Sequence, residues 1–450
     1  MVTWLASFLE NINGLLWNGP ILLLLSATHL FFTIRLNPQR HTFKAIRLSV
    51  TPEKKKDKGG LSGFATLATT LAATLGTGNI VGISTAIALG GPGALFWCFL
   101  TGLFGMATAY AECYLSGLHK KRMADGSYVG GPMYVLEKGI RPRKLGLTLG
   151  KFYAICVIGA AIGAGCTTQA SAIADAAYST WKISPYLTGV AAAVLTGMVI
   201  LGGIKSIGRF CTRLVPPLSF LYMGACILLL WQNRSFLLPS LSLILSSAFT
   251  GRAAGGGFVG STFLLAARFG IARGLFTNEA GIGTAAIAAG AADSATPERQ
   301  ALISMTAVFW DTIVMCTLTG LTIVSSILAH PGSTEGFSDG GLTHAAFAFL
   351  PQGSAFLTLS LMAFALATLV GWCYLGEKGV AYLFGETGVH SYHLVYIVMI
   401  YIGAILPMQL IWSFTDLVNA IMIFPNVLAL LMLYRSIKRP YSSTNSAKNS

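Results

Sequence analysis

Long apolar runs recur along the whole chain and are separated by short polar segments. A helix needs about 20 predominantly apolar residues to cross the hydrocarbon core of a bilayer. No polar insertion is long enough for a separate soluble domain. The pattern therefore predicts an all-α polytopic membrane protein with about eleven transmembrane helices. The predicted spans lie at about 15–35, 62–91, 93–118, 151–176, 184–204, 212–232, 238–267, 300–329, 353–376, 390–411 and 412–435.

The composition agrees with a chain embedded in a bilayer. Of the 450 residues, 54% are hydrophobic and only 10% are charged, and the mean hydropathy is +0.68. A net charge of +14 could suit a nucleic-acid-binding protein, but such proteins gather their basic residues on one solvated face. Here the basic residues lie between the apolar runs, so we expect lipid and no nucleic acid as partner. The eight cysteines stand singly, without metal-ligand spacing, as is typical of packing residues.

The distribution of positive charge predicts the orientation of the spans. Short cytoplasmic loops retain Lys and Arg. When the loops between the eleven spans are assigned alternately to two sides, every Lys and Arg except Lys182, Arg234 and Arg252 falls on one side. The pattern therefore predicts an external N-terminus and a cytoplasmic C-terminus.

Two glycine-rich runs interrupt predicted spans. Gly76-Thr77-Gly78-Asn79 lies at the centre of the second span, and Gly251–Gly260 lies in the seventh. Irregular backbone at membrane depth is tolerated only where protein, water or ligand satisfies its polar groups. Freed carbonyls suit a cation such as Na⁺, and the N-terminus of a half-helix suits a carboxylate. The two breaks therefore predict a shared binding site for a zwitterion and a coupling ion.

The spacing of the breaks predicts an internal repeat. If the first span is peripheral, the breaks fall in the first and sixth of ten core spans, which are corresponding positions of a 5 + 5 inverted repeat. The predicted divisions are an extra N-terminal helix at 1–36, a basic cytoplasmic loop at 37–61, the first repeat at 62–232, the second repeat at 233–436 and a cytoplasmic tail at 437–450.

Several motifs together resemble one known family. The strings ATLGTGNIVGISTAIALGGPGALFW, GLFGMATAYAEC, DGSYVGGPMYVLEKG, ARGLFTNEAGIGTAAIAAGAA and VFWDTIVMCTLTGL are similar, in this order, to those of the alanine or glycine:cation symporters, also called sodium:alanine symporters. The resemblance covers roughly residues 15–435. It implies the leucine-transporter fold with one added helix, Na⁺-coupled uptake of alanine or glycine, no organic cofactor, and the plasma (inner) membrane of a bacterium or archaeon. A monomer is compatible with the sequence.

The resemblance also implies roles for individual residues. Trp372 would form a pocket wall that limits side-chain size, and Leu265 stands where we expect glutamine. The segment Gly283–Gly290 also departs from the family pattern, which leaves the gating details open. The implied substrate-binding residues are Gly76, Thr77, Gly78, Gln169, Gly257, Phe258, Ser261, Leu265 and Trp372, and the implied Na⁺ site is formed by Ala72, Leu75, Asn79 and Thr368.

For several other polar residues, two interpretations stay open. Gln169 either lines the pocket or forms a hydrogen bond between helices. Asp311, inside a span, is either an ion- or proton-coupling group or a hydrogen-bonded packing residue. Asp416 is either part of an outer gate or an interfacial acid. Asn278 and Glu279 either cap a helix that starts near Ala280 or form an inner gate.

Three functions other than Na⁺-coupled symport are weighed against the same residues. A proton-coupled carrier would use Asp311 in place of Na⁺. A membrane enzyme is disfavoured because neither HExxH nor GxSxG occurs. A channel or a transporter-like sensor could keep both breaks, and accumulation of solute against a gradient would distinguish these from a symporter.

Overall fold

The computed structural model describes most of the chain. The described residues are 2–17, 19–51, 61–123, 126–250, 263–293, 296–333, 341–406 and 408–441. Helices dominate these ranges, and the strands among them, β1 (Lys121–Arg122) and β2 (Tyr128–Val129), form a short antiparallel hairpin.

The first half of the described chain consists of helices joined by short loops. Ser62 caps α4, accepting a hydrogen bond from the Ala65 amide at 3.1 Å. Pro20, Pro132 and Pro185 begin their helices, where a missing amide hydrogen costs nothing. The helices are α1 (Val2–Trp17), α2 (Pro20–Leu36), α3 (Thr42–Val50), α4 (Gly63–Thr74), α5 (Ile83–Gly90), α6 (Ala94–His119), α7 (Pro132–Gly139), α8 (Arg143–Ala160), α9 (Thr168–Trp181), α10 (Pro185–Ile200) and α11 (Gly203–Gln232).

The second half follows the same plan. Thr296 caps α15, accepting from the Arg299 amide at 3.2 Å. The helices are α12 (Leu237–Thr250), α13 (Phe263–Asn278), α14 (Thr284–Gly290), α15 (Pro297–Val308), α16 (Thr317–Ala329), α17 (Leu342–Phe347), α18 (Gly353–Phe384), α19 (Thr387–Ile405) and α20 (Met408–Met432). Short 3₁₀ turns cover Pro38–His41, Arg234–Phe236 and Tyr434–Ser436.

The helices long enough to cross a membrane confirm a polytopic fold. Within the described ranges, eight helical segments are long and apolar enough to span, and the bent pair formed by Gly63–Thr74 and Gly78–Gly90 makes nine. Pro185–Ile200 is a shorter apolar helix at the fifth predicted span. The protein is therefore a multi-pass α-helical membrane protein. The repeat boundaries 62–232 and 233–436 stay a prediction.

The seventh span differs from the prediction. We expected a span at 238–267 and a cytoplasmic loop at 268–299, but the structure has α13 continuing to Asn278 and α14 after it. The loop prediction was wrong because Arg268, Arg273 and Glu279 lower the hydropathy of a segment that nevertheless forms helices; Glu279 is buried in the structure, whereas Arg268 is exposed.

Helical irregularities mark the centre of the bundle. π-helical turns at Gly78–Gly82, Ala161–Thr167 and Phe309–Cys316 interrupt three spans. Such turns are rare and frequently lie at functional sites. Gly371 lets α18 approach the α4 backbone, since a Cβ there would lie 2.8 Å from the Ala73 nitrogen.

The N-terminal helices form hydrogen bonds with two other helices, α6 and α20. Nδ1 of His29 on α2 is 2.7 Å from the Thr108 hydroxyl on α6. The amide side chain of Asn13 on α1 donates to the Ser413 carbonyl on α20 at 2.7 Å. That the first span is an extra helix outside a ten-helix core stays a prediction.

Candidate functional site

The second span is broken where the sequence predicts. α4 ends at Thr74, Leu75 leaves the helical region with ψ 84°, and the chain resumes at the Gly78–Gly82 turn. The two halves are bent by 53°. Gly76 is required here because a Cβ would lie 2.8 Å from the Thr368 hydroxyl and 3.2 Å from Oε1 of Gln169. The break therefore brings backbone against side chains of two other helices.

The hydroxyl of Thr368 lies among backbone carbonyls. It is 3.0 Å from the Ala72 oxygen, 3.1 Å from that of Phe364 and 3.3 Å from that of Leu75. One hydroxyl hydrogen cannot satisfy all of these acceptors. Oxygen clusters built from unwound backbone are typical of Na⁺ sites in transporters. The structure thus brings together Ala72, Leu75 and Thr368 of the predicted Na⁺ set.

Asn79, the remaining member of that set, has different partners. Its side-chain nitrogen donates to the Asp311 carboxylate at 2.8 Å and to the Asp311 backbone carbonyl at 3.1 Å. Thr312 donates to the other carboxylate oxygen at 2.7 Å. Asp311 is fully buried in the π-helical turn Phe309–Cys316. Within the described chain no Lys, Arg or His forms an ion pair with it.

A small cavity of about 20 Å³ lies beside the break. It brings together the predicted residues Gly76, Thr77, Gly78, Gln169 and Trp372. Trp372 packs so tightly on Gly165 that a Cβ at this glycine would collide with the indole. The lining residues are Ala73, Thr74, Gly76, Thr77, Gly78, Ala164, Gln169, Phe276, Thr277, Glu279, Trp372 and Asn419.

A second break faces the same cavity. α13 ends at Asn278, and the chain continues through Glu279, Gly281 and Gly283, with φ of 53°, 95° and 96°, before α14 begins at Thr284. Positive φ suits glycine and is uncommon for glutamate. Oε2 of Glu279 accepts a hydrogen bond from the Thr284 hydroxyl at 2.6 Å.

This second break is not the one expected from the sequence. Gly257 and Phe258 of the predicted Gly251–Gly260 run, and Ser261 directly after it, lie outside the described residues. The predicted helix start near Ala280 was wrong, because α14 begins at Thr284. The signal that could have revealed the break is the pair of glycines, Gly281 and Gly283, directly after Asn278-Glu279.

Three helices hold the second break in place. Oε1 of Glu112 on α6 accepts from the Gly281 amide at 2.9 Å and from the Asn426 side chain on α20 at 2.6 Å. The Tyr153 hydroxyl on α8 donates to the Ile282 carbonyl at 2.8 Å. The Asn278 side chain accepts from the Ala280 amide at 3.0 Å, which makes it a turn cap. These buried contacts fix the irregular backbone beside the cavity.

A second cavity, of about 280 Å³, shares Phe276 with the central one. Arg268, Arg273 and Asp416 line it, together with Asn13 and Trp17 of α1. Asp416 lines this cavity together with Arg273, and its backbone carbonyl accepts from the Trp17 indole at 3.2 Å. Whether Asp416 is part of an outer gate or an interfacial acid stays a prediction. Phe276 lines both cavities.

Leu265 does not line the central cavity. Its backbone oxygen would lie 3.1 Å from a Cβ on Gly90, at the far end of α5. Sequence reasoning missed Phe276 and Asn419 as cavity residues. An amide inside an apolar span was the available signal for Asn419.

The chain is similar to known proteins over nearly its whole length. The profile of the sodium:alanine symporter family matches residues 2–449. The sodium/alanine symporter AgcS of Methanococcus maripaludis is 41% identical, with 95% of this chain and 94% of the relative covered. The probable sodium/glutamine symporter GlnT of Bacillus subtilis is 31% identical, with coverage of 94% and 87%.

A solved structure shows the same fold at low identity. The crystal structure of MhsT in complex with L-phenylalanine superposes with a TM-score of 0.57 at 14% identity, and the match covers 85% of this chain and 90% of that one. The likeness places the chain among proteins with the leucine-transporter fold.

Proposed function

Because the chain belongs to the sodium:alanine symporter family, we propose that it imports a small neutral amino acid, alanine or glycine, together with Na⁺. The family is one of transporters, so the protein is not an enzyme. The observation that carries the proposal is the break at Gly76–Asn79, where the Thr368 hydroxyl meets two freed carbonyls next to a closed-in cavity.

Each half of the broken span has a role in this proposal. The carbonyls of Ala72 and Leu75, with the Thr368 hydroxyl, hold Na⁺. The second half-helix begins at Thr77 and Gly78, and its unpaired amides and positive dipole end hold the substrate carboxylate. Ion and substrate thus bind to adjacent turns of one backbone, so that occupation of one site favours occupation of the other.

The size of the cavity supports a small substrate. Trp372 and Phe276 wall the central space, and Trp372 cannot retreat toward Gly165 without displacing α8 or α9. One relative carries the name of a glutamine symporter, so a panel that runs from glycine and alanine to glutamine tests the size limit directly.

We propose that transport proceeds by alternating access, as in transporters built from such repeats. In this proposal the substrate enters through the cavity lined by Arg273 and Asp416 and passes Phe276. Rocking of the bundle then opens the second break toward the cytoplasm. We place the protein in a bacterial or archaeal plasma membrane with the N-terminus outside.

The test is uptake of labelled L-alanine into proteoliposomes under an imposed inward Na⁺ gradient. We expect accumulation above the external concentration, and its loss when choline replaces Na⁺. Accumulation that is unchanged in choline would overturn Na⁺ coupling. Equilibration without accumulation would indicate a channel or a sensor.

One observation favours a second candidate, a proton-coupled carrier. Asp311 is buried, has no cationic partner in the described part of the chain and contacts Asn79 of the break. In this case a proton gradient alone, in the absence of Na⁺, would drive accumulation of alanine.

A further inference from the structure

The chain stays packed against the protein after its last helix. Residues 437–441, which we call the strap, follow α20 and the Tyr434–Ser436 turn. Ile437 is only 3% exposed and belongs to the hydrophobic core, and Pro440 is buried as well. Terminal segments are poorly ordered in most domains unless contacts tie them down. The contacts of the strap therefore indicate what it does.

Hydrogen bonds join the strap to α2 and α6, two helices that pack against each other. Nε of Arg439 donates to the Arg35 carbonyl, near the end of α2, at 2.5 Å. The Tyr110 hydroxyl on α6 donates to the Lys438 carbonyl at 3.1 Å. Tyr110 is itself fully buried. The strap is thus held both through a side chain and through its own backbone.

Tyr441, the last residue of the strap, contacts α15 and the segment that contains α3. Its amide donates to Oε1 of Glu298, in the first turn of α15, at 2.7 Å. The centre of its ring lies 3.3 Å from Nζ of Lys44 and 5.3 Å from the centre of the His41 ring. Hydrogen bonds to a carboxylate and cations over an aromatic face are both attractive. The strap therefore connects the start of α15 to the N-terminal part of the chain.

The start of α15 lies shortly after a backbone pair that joins the two broken spans. The Leu61 amide donates to the Ala291 carbonyl at 3.1 Å, and the Asp293 amide donates to the Leu61 carbonyl at 2.9 Å. Leu61 lies just before α4, and Ala291 directly follows α14. Arg299 on α15 also donates to the Thr51 carbonyl, after α3, at 3.2 Å. Separation of α4 from α14 on the side predicted to be cytoplasmic thus requires this backbone pair to break.

We propose that the strap restrains this separation. By holding α15 against α2, α3 and α6, it keeps the backbone pair between Leu61 and residues 291–293 closed. Release of the strap lets the ends of α4 and α14 move apart toward the cytoplasm. The strap continues from α20, which contributes Asn419 to the central cavity, so a movement of α20 acts on the restraint directly. The inference goes beyond the proposed function, and its test needs no transported substrate.

The experiment compares two truncated chains with the full chain in lipid nanodiscs by hydrogen–deuterium exchange and mass spectrometry. One truncated chain ends after Ser436 and lacks the strap. The other ends after Tyr441, keeps the strap and is the matched control. Amide exchange reports local opening of the hydrogen bonds that protect each amide. Without the strap we expect the Leu61 and Asp293 amides to exchange about 10-fold faster, as for loss of one charge-assisted hydrogen bond. The control should exchange like the full chain.

Tyr441→Ala keeps the test decisive if the chain without the strap does not fold. It removes the ring beside Lys44 and His41 but leaves the backbone amide that donates to Glu298. We expect exchange at the backbone pair to be about 3-fold faster, as for loss of an exposed cation–π contact. Tyr178→Ala removes a ring whose centre lies 5.2 Å from Nζ of Lys182, on the side predicted to be external. This second control should exchange like wild type.

Exchange within α19, which makes none of the contacts described for the strap, serves as the internal reference. Faster exchange of the Leu61 and Asp293 amides with unchanged exchange in α19 supports the restraint. Equal exchange at the backbone pair in a folded chain without the strap would overturn the proposal. An increase of the same size in α19 would also overturn it, because the strap would then stabilise the fold as a whole.

Discussion

Replacement of Thr368 by valine removes a single hydroxyl at the point where α18 meets the end of α4. Valine has nearly the same shape, so the packing of this buried position is preserved. The substitution removes one oxygen from a cluster of three, since the Thr368 hydroxyl lies 3.0 Å from the Ala72 carbonyl oxygen and 3.3 Å from the Leu75 carbonyl oxygen. If these three oxygens hold Na⁺, the variant loses one ligand and keeps two.

The size of the effect follows from the kind of interaction lost. Hydrogen bonds and ligand contacts to charged groups contribute about 1.5–3 kcal/mol, which corresponds to about a 10- to 100-fold change in an equilibrium constant. The neutral bonds between Thr368 and the carbonyls contribute only about 0.5–1.5 kcal/mol to stability. We therefore expect the Na⁺ affinity to change far more than the folding of the Na⁺-free protein.

The assay is the Na⁺ dependence of alanine uptake into proteoliposomes, at saturating alanine. For Thr368→Val the Na⁺ concentration at half-maximal rate should rise about 10- to 100-fold. Thr358→Val is the matched control, since Thr358 is also buried on α18 but bonds to Thr180 at 2.7 Å, away from the break. Equal Na⁺ dependence in Thr368→Val and wild type would refute the placement of the ion here.

Other substitutions test the rest of the site. Gly78→Leu should abolish alanine binding but not membrane insertion, because its Cβ already lies 3.3 Å from the Thr277 hydroxyl; normal uptake would contradict the site. Gly165→Ala should lower alanine affinity about 10-fold through displacement of Trp372, whereas Gly224→Ala, where a Cβ meets nothing within 4 Å, should bind normally. Asp311→Asn should slow uptake, since an amide nitrogen cannot accept from Thr312, yet leave it Na⁺-dependent; proton-driven uptake that this variant abolishes would support proton coupling instead.

Much of the fold could be predicted from local sequence. Apolar runs long enough to span a bilayer predict the helices, because a chain in lipid must satisfy its backbone hydrogen bonds internally and a helix does so within one segment. The break at Gly76–Asn79 could be predicted for the same reason, since its glycines and threonines lie at the middle of an apolar run. The resemblance to one family implied a Na⁺ site that includes Thr368, Ala72 and Leu75, and the structure brings these residues together.

The position of the second break could not be predicted in this way. Hydropathy favoured 238–267 and excluded the segment with Arg268, Arg273 and Glu279. Only the tertiary structure shows how this segment is stabilised inside the bundle. Glu112 on α6 and Tyr153 on α8 form hydrogen bonds with its backbone. A hydropathy window cannot detect these hydrogen bonds, because the residues that form them are distant from the segment in sequence.

By itself, then, the sequence determined the class of protein, its multi-pass helical character and the position of the first break, because these depend on properties of contiguous residues. The tertiary structure alone decided which polar groups face one another. In the structure the Asn79 side chain donates to Asp311, and Leu265 is not among the residues that line the central cavity. Glu279 and Asn419 line it together with Gly76. These are contacts between helices far apart along the chain, and no local pattern specifies them.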